Sequence, residues 1–153
     1  MTDAIELRIP ARAEHLALVR TVVAAVAQAE SHLDAARLDD LRVATTEACA
    51  NAIEAYARIG TPGEILVRCV ANIHQVTVEL RDEAGGFDPA ALVPHPDVTR
   101  PERLHYERGL GIPLMRTLAD EADIRSDATG TTVRLVLTDR PRRPELASVP
   151  ATA

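Results

Sequence analysis

Apolar residues alternate in five stretches of the chain and recur at helical spacing in three others. Ala4 to Ile9 sets Ile5, Leu7 and Ile9 on one side and Glu6 and Arg8 on the other, a half-buried strand that Pro10 ends. Arg12 to Ser31 reads as a helix with Leu16, Val19, Val23 and Val26 on one face, flanked by Leu18, Val22 and Ala25. That stripe is wider than one sheet face needs, so the helix is either deeply buried or carries a second surface for a partner or another copy. Leu41 to Arg58 is rich in Ala, contains neither Gly nor Pro and follows Asp39-Asp40, which predicts a further helix. The turn Gly60-Thr61-Pro62-Gly63 leads into a strand from Glu64 to Ala71, with Ile65, Val67 and Cys69 in phase. After a short turn at Asn72, His74 to Asp82 forms the next strand, with Val76, Val78, Leu80 and Asp82 on one face.

Phe87 to Tyr106 breaks the pattern, since it holds Pro89, Pro94, Pro96 and Pro101 and shows no sustained period. An irregular segment of this length inside a compact domain points to a functional loop. Leu110 to Asp120 is a third helix, facing inward through Ile112, Met115 and Leu118 and tolerating Pro113 in its first turn. A short strand from Asp123 to Ser126, a turn to Gly130 and a last strand from Thr131 to Thr138 complete the pattern. From Asp139 onward the proline-containing tail is expected to be disordered. The order is strand, two helices, two strands, irregular segment, helix, two strands. It predicts an α/β (α+β) two-layer sandwich in a single domain over residues 1–138, with one mixed sheet covered on one face by helices.

Composition narrows the function. The chain has 153 residues, enough for one core, and aromatic residues make up only 2%, so that core rests on Ala, Val, Leu and Ile. A net charge of −6 gives no basic footprint for nucleic acid. No apolar run is long enough to span a membrane and the first residues do not form a signal peptide, so a cytoplasmic location is expected. Cys49 and Cys69 lack metal-site spacing and read as reduced core residues. All 17 basic residues are Arg. Without Lys the chain cannot be a P-loop NTPase or a conventional protein kinase, and it has no lysine for Schiff-base chemistry.

Three groups of polar residues carry candidate chemistry. Glu47 and Asn51 stand one turn apart on one edge of the second helix. They are either an ordinary solvated pair or an oxygen-rich patch able to hold Mg²⁺ through few protein ligands and many waters. Asp82 points to the apolar side at a strand end, which is costly without hydrogen-bond donors. It serves either to start the turn at Gly85-Gly86 or to accept from a ligand such as the exocyclic amine of adenine. Gly109 and Gly111 open the third helix beside Arg108, where amides, helix dipole and guanidinium favour phosphate.

In order, these residues make E-x-x-x-N, then D-x-x-x-G (Asp82 to Gly86), then G-x-G. The series resembles the N, G1 and G2 boxes of the GHKL (Bergerat-fold) ATP-binding superfamily, and residues 4–138 are similar to the anti-sigma factor serine/threonine kinases of the RsbW and SpoIIAB type. The resemblance implies ATP and Mg²⁺ as cofactors. It implies Glu47 as general base, Asn51 as Mg²⁺ ligand and Arg108 as the arginine on the transferring phosphoryl. Asp82 and Thr131 would read adenine, while Gly86, Gly109, Leu110 and Gly111 would line the nucleotide and a lid would span about 88–106. Partners implied are a sigma factor, a STAS-domain anti-anti-sigma factor and a second copy in a homodimer, with no direct binding of nucleic acid or membrane. Two positions depart from the superfamily pattern: Ala84 stands where the G1 box has its first Gly, and Glu107-Arg108 abuts Gly109 directly.

Two other readings use the same fold. One is an anti-sigma binding module without turnover, which Ala84 favours and Glu47 with Asn51 disfavours. The other is a histidine-kinase ATP-binding domain, but His15-Leu16-Ala17-Leu18 does not match the phosphoacceptor motif such a protein would need. A gyrase- or MutL-like ATPase would require a second domain supplying a lysine.

Overall fold

The computed structural model describes residues 3–85 and 111–141. The expected lid, Gly86, Arg108, Gly109, Leu110 and the tail beyond 141 lie outside those residues. The described elements are β1 (Ile5–Pro10), a 3-10 turn (Ala13–His15), α1 (Leu16–Glu30), α2 (Ala35–Ile59), β2 (Glu64–Ala71) and β3 (Gln75–Asp82). They continue with α3 (Gly111–Leu118), β4 (Glu121–Asp127) and β5 (Gly130–Thr138).

The strands form one five-stranded sheet in the order β1-β2-β3-β5-β4. Every pairing among the described residues is antiparallel, where a mixed sheet was expected. The connections explain the difference. Two helices in succession return the chain to the end of β1, so Glu64 starts β2 opposite Pro10 and the strands run against each other. The tight turn at 72–74 and the 128–129 turn make the next antiparallel pairs. The crossover through α3 leaves β3 and β4 pointing the same way, but β5 lies between them, so no parallel ladder forms among the described residues.

One sheet face is apolar by strict alternation. Val67, Leu80 and Val133 stand in one cross-strand row, and Cys69, Val78 and Leu135 in the next. All six are buried under the helices. The opposite face carries Glu6, Arg68, Glu79, Arg134 and Asp123 in register, one from each strand. Opposite charges directly across neighbouring strands keep that face compatible with water, so the sandwich has two layers.

Helix α2 lies on β3 and β5. Its buried Ala44, Ala48, Ala52 and Ala55 recur at three- and four-residue spacing, and small side chains there let the helix sit close to the sheet. The helix begins four residues before Asp39, because Asp34 accepts from the Arg37 amide at 2.8 Å and supplies the N-cap. Asp40 is inside the helix, 4% exposed and paired with the Arg37 guanidinium at 3.0 Å. Helix α1 buries Val19, Val23, Ala24 and Ala27, while Leu18 on its flank is 47% exposed. The broad stripe seen in the sequence therefore splits into a packed half and an outward half. Cys49 and Cys69 are both free and buried, as expected. No helix among the described residues is long and apolar enough to cross a membrane.

Candidate functional site

The phase of β3 carries Asp82 into the interface between sheet and helices, where it is 5% exposed. Its Oδ1 accepts from the Ala84 amide at 3.0 Å. Burial pushes its carboxyl above the usual carboxylate range, opposed by backbone hydrogen bonds from Ala84 and Thr131 and by the Arg58 charge. Thr131 faces Asp82 across the β3–β5 ladder. Its hydroxyl shares a hydrogen bond of 2.8 Å with Ser126 of β4. The approach of β5 depends on Gly130, since a Cβ there would collide with the Asp82 carbonyl oxygen.

A recess opens beside this pair. Asn51, Asp82 and Thr131 supply its polar groups, and Ala52, Met115 and Val133 are among its apolar walls. At the Asp82 end, apolar walls and a buried carboxylate offer the chemistry that a flat heteroaromatic ring with an amine on its edge requires. The Ala84 departure does not open this end. The left-handed conformation falls one residue later, at Gly85 with φ 80, while Ala84 is buried and its amide holds the Asp82 side chain.

At the other end the first turn of α3 meets α2. A Cβ on Gly111 would sit 3.1 Å from Glu47 Oε2 and 3.3 Å from both Asn51 side-chain heteroatoms. The glycine thus brings the helix start against the two polar residues that the sequence places one turn apart. Glu47 and Asn51 are both half-buried. Gly111 begins the described part of this rim; Gly109, Leu110 and Arg108 precede it outside the described residues. Because Asn51 lines the recess and also touches the α3 start, it joins the two ends of the site. Ring recognition at one end and phosphate chemistry at the other are the two demands of a nucleoside triphosphate, and the donor set fits one. A divalent ion held by one carboxamide together with phosphate oxygens and water fits as well.

The structure therefore unites five expected residues: Asn51, Asp82 and Thr131 in the recess, and Glu47 and Gly111 at its rim. It also adds two that periodicity did not single out. Ser126 partners Thr131 across the β4–β5 hairpin. Tyr56 is 7% exposed and its hydroxyl accepts from the Glu83 amide, next to Asp82, at 2.9 Å. The available signal for Tyr56 was its rarity, as one of two tyrosines in the chain, placed on the recess helix.

A family model described as histidine kinase-like ATPase domain matches residues 9–137. The chain is 32% identical over 139 residues to serine-protein kinase RsbW of Bacillus pumilus (strain SAFR-032), covering 87% of this chain and 84% of that protein. It is 30% identical over 137 residues to serine-protein kinase RsbW of Bacillus subtilis (strain 168), with the same coverage. Among solved structures, the fold resembles the crystal structure of the RsbU and RsbW domains of Rv1364c from Mycobacterium tuberculosis, with a TM-score of 0.62 and 23% identity. That match covers 93% of this chain and 34% of the other.

Proposed function

The chain belongs to the histidine kinase-like ATPase domain family, as a serine-protein kinase of the RsbW type, and on that premise we propose that it is a partner-switching anti-sigma factor. In this reading it sequesters a sigma factor and phosphorylates a Ser or Thr of a STAS-domain antagonist, working as a homodimer. The observation that carries the site reading is that Asn51 connects the Asp82–Thr131 recess to the Glu47–Gly111 rim.

Each residue then has a task. Asp82 accepts a hydrogen bond from the 6-amino group of adenine, and Thr131 flanks it. The apolar walls exclude water from the ring. ATP supplies the transferable phosphoryl group and Mg²⁺ neutralises charge on the phosphates. Asn51 would hold the ion, and the α3 start at Gly111 lets backbone approach the phosphates. Glu47 takes the proton from the acceptor hydroxyl as its oxygen bonds to the γ-phosphorus and the bond from that phosphorus to the β,γ-bridging oxygen breaks, releasing ADP; the carboxyl then gives the proton to solvent. Arg108, together with Gly86, Gly109 and Leu110, keeps the role that the resemblance gives it.

The second reading is a binding module without turnover, which Ala84 favours because the superfamily has glycine there. Its force is reduced by the way Ala84 and Gly85 together build the turn around Asp82. Replacing Glu47 separates the two readings. Glu47→Gln preserves size and hydrogen bonding but cannot take a proton, so phosphate transfer to a cognate STAS protein should fall about 10²–10⁴-fold while Mg-ATP binding by calorimetry stays near parental. Asn51→Ala should weaken Mg-dependent binding and transfer together. Parental transfer by Glu47→Gln would reduce Glu47 to a structural residue. A parent protein that binds sigma factor yet transfers no phosphate to its STAS antagonist would establish the binding module.

A further inference from the structure

We infer that Tyr56 is a positioning residue for purine selection: its hydroxyl splices the β2–β3 ladder and fixes the turn that aims Asp82. This rests on the reading of Asp82 as the adenine acceptor. The β2–β3 register runs as far as Leu66 opposite Arg81. Two residues further along the same register, Glu64 would face Glu83, and their backbone groups would be candidates for a direct hydrogen bond. Instead the Tyr56 hydroxyl stands between them. It donates to the Glu64 carbonyl and accepts from the Glu83 amide, both at 2.9 Å.

Three further features of the fold frame this bridge. The Tyr56 ring lies where a Cβ on Gly63 would fall, so glycine at the head of β2 makes room for it. Tyr56 is on the helix that also presents Asn51 to the recess. On the far side, Asp82 remains paired with Thr131 of β5 after β3 has parted from β2. The end of β3 is thus held on one side by β5 and on the other by a side chain from α2. Residues Glu83 and Ala84 turn away from the ladder, and the Ala84 amide comes back to the Asp82 carboxylate at 3.0 Å.

Without the hydroxyl, Glu64 and Glu83 either close directly on each other or lose a partner, and both outcomes shift the turn that orients Asp82. The consequence is specific to the 6-position of the purine. Tyr56→Phe keeps the ring against Gly63 and removes only the bridge.

The test compares ATP with purine riboside triphosphate, which lacks the 6-amino group, by calorimetry with Mg²⁺ on the full chain. The parent should prefer ATP roughly tenfold or more, and Tyr56→Phe should reduce that preference roughly fivefold. Affinity for the analogue should change less than about twofold, which a general loss of structure would not produce. In an Asp82→Asn background Tyr56→Phe should have no further effect on the preference, because the group it positions is already altered. In the parent itself, the Glu83 amide should be protected from hydrogen exchange. That measurement requires no variant and applies even if Tyr56→Phe folds poorly. Parental preference retained by Tyr56→Phe, or a Glu83 amide exchanging at the free-chain rate, overturns the role of Tyr56 alone. A parent that does not distinguish the two nucleotides overturns the Asp82 reading and this inference with it.

Discussion

Removing Arg37 should be among the most damaging single changes outside the site. Its side chain is 3% exposed and ties three elements together. Nε donates to the Thr138 carbonyl at 3.2 Å, and Nη1 donates at 3.0 Å to both Asp40 and the Leu118 carbonyl. Nη2 bonds the Asp120 carboxylate. In Arg37→Ala, Asp40 loses the Arg37 guanidinium while staying buried. Breaking one side of such a pair costs about 3–5 kcal/mol. Asp120 contributes less, because its side chain is 35% exposed and still accepts from the Thr138 amide at 2.7 Å. In a domain of this size each kcal/mol moves the melting temperature by about 2–4 °C, so Tm should drop by about 6–20 °C. Urea unfolding followed by circular dichroism gives the free energy directly, and an unchanged m-value would locate the effect in the native state. The double variant Arg37→Met, Asp40→Asn should recover much of the loss, since the buried charge leaves with its partner. A single-variant loss under about 1 kcal/mol, or a double variant worse than the single, would refute this account of the clamp.

Two further outcomes follow from buried ionisable groups. Burial raises the Asp82 carboxyl above its unfolded value, so its contribution to stability is fully present below the unfolded pKa and is lost as pH rises through the folded one. At pH 7.5, Asp82→Asn should therefore keep or raise Tm in thermal scans while weakening ATP binding by about 1.5–3 kcal/mol, and a lower Tm with unchanged affinity would contradict both halves. Burial also pushes the Cys49 thiol up to about 12 and the Cys69 thiol, with Glu30 adding to the effect, up to about 11. Both should resist Ellman's reagent at pH 8 until the fold opens, with Mg-ATP slowing the reaction further; free-thiol rates in the native protein would show the core is not closed over them.

What the sequence determined by itself was local and periodic. Alternation gave β2 its bounds of Glu64–Ala71 and placed Asp82 in phase with Val76, Val78 and Leu80, because side-chain direction along a strand depends only on counting residues. Helical spacing likewise put Glu47 and Asn51 on one edge of α2. The resemblance of the three boxes then named the family. Lateral relations were not written at that scale. That β5 inserts between β3 and β4, turning an expected mixed sheet antiparallel, follows from how the crossover packs and not from any strand's own pattern. That Gly111 lies against Glu47 and Asn51 depends on α3 docking on α2, between residues sixty-four and sixty positions apart. Asp39-Asp40 resembles a helix-start signal, yet α2 begins earlier, because Asp34 is the cap and Asp40 is drawn inward by Arg37. A buried ion pair and a tyrosine hydroxyl between two strands are stabilised by groups distant in sequence. Only the tertiary structure could therefore decide that Arg37 faces the core or that Tyr56 parts β2 from β3 beside Asp82.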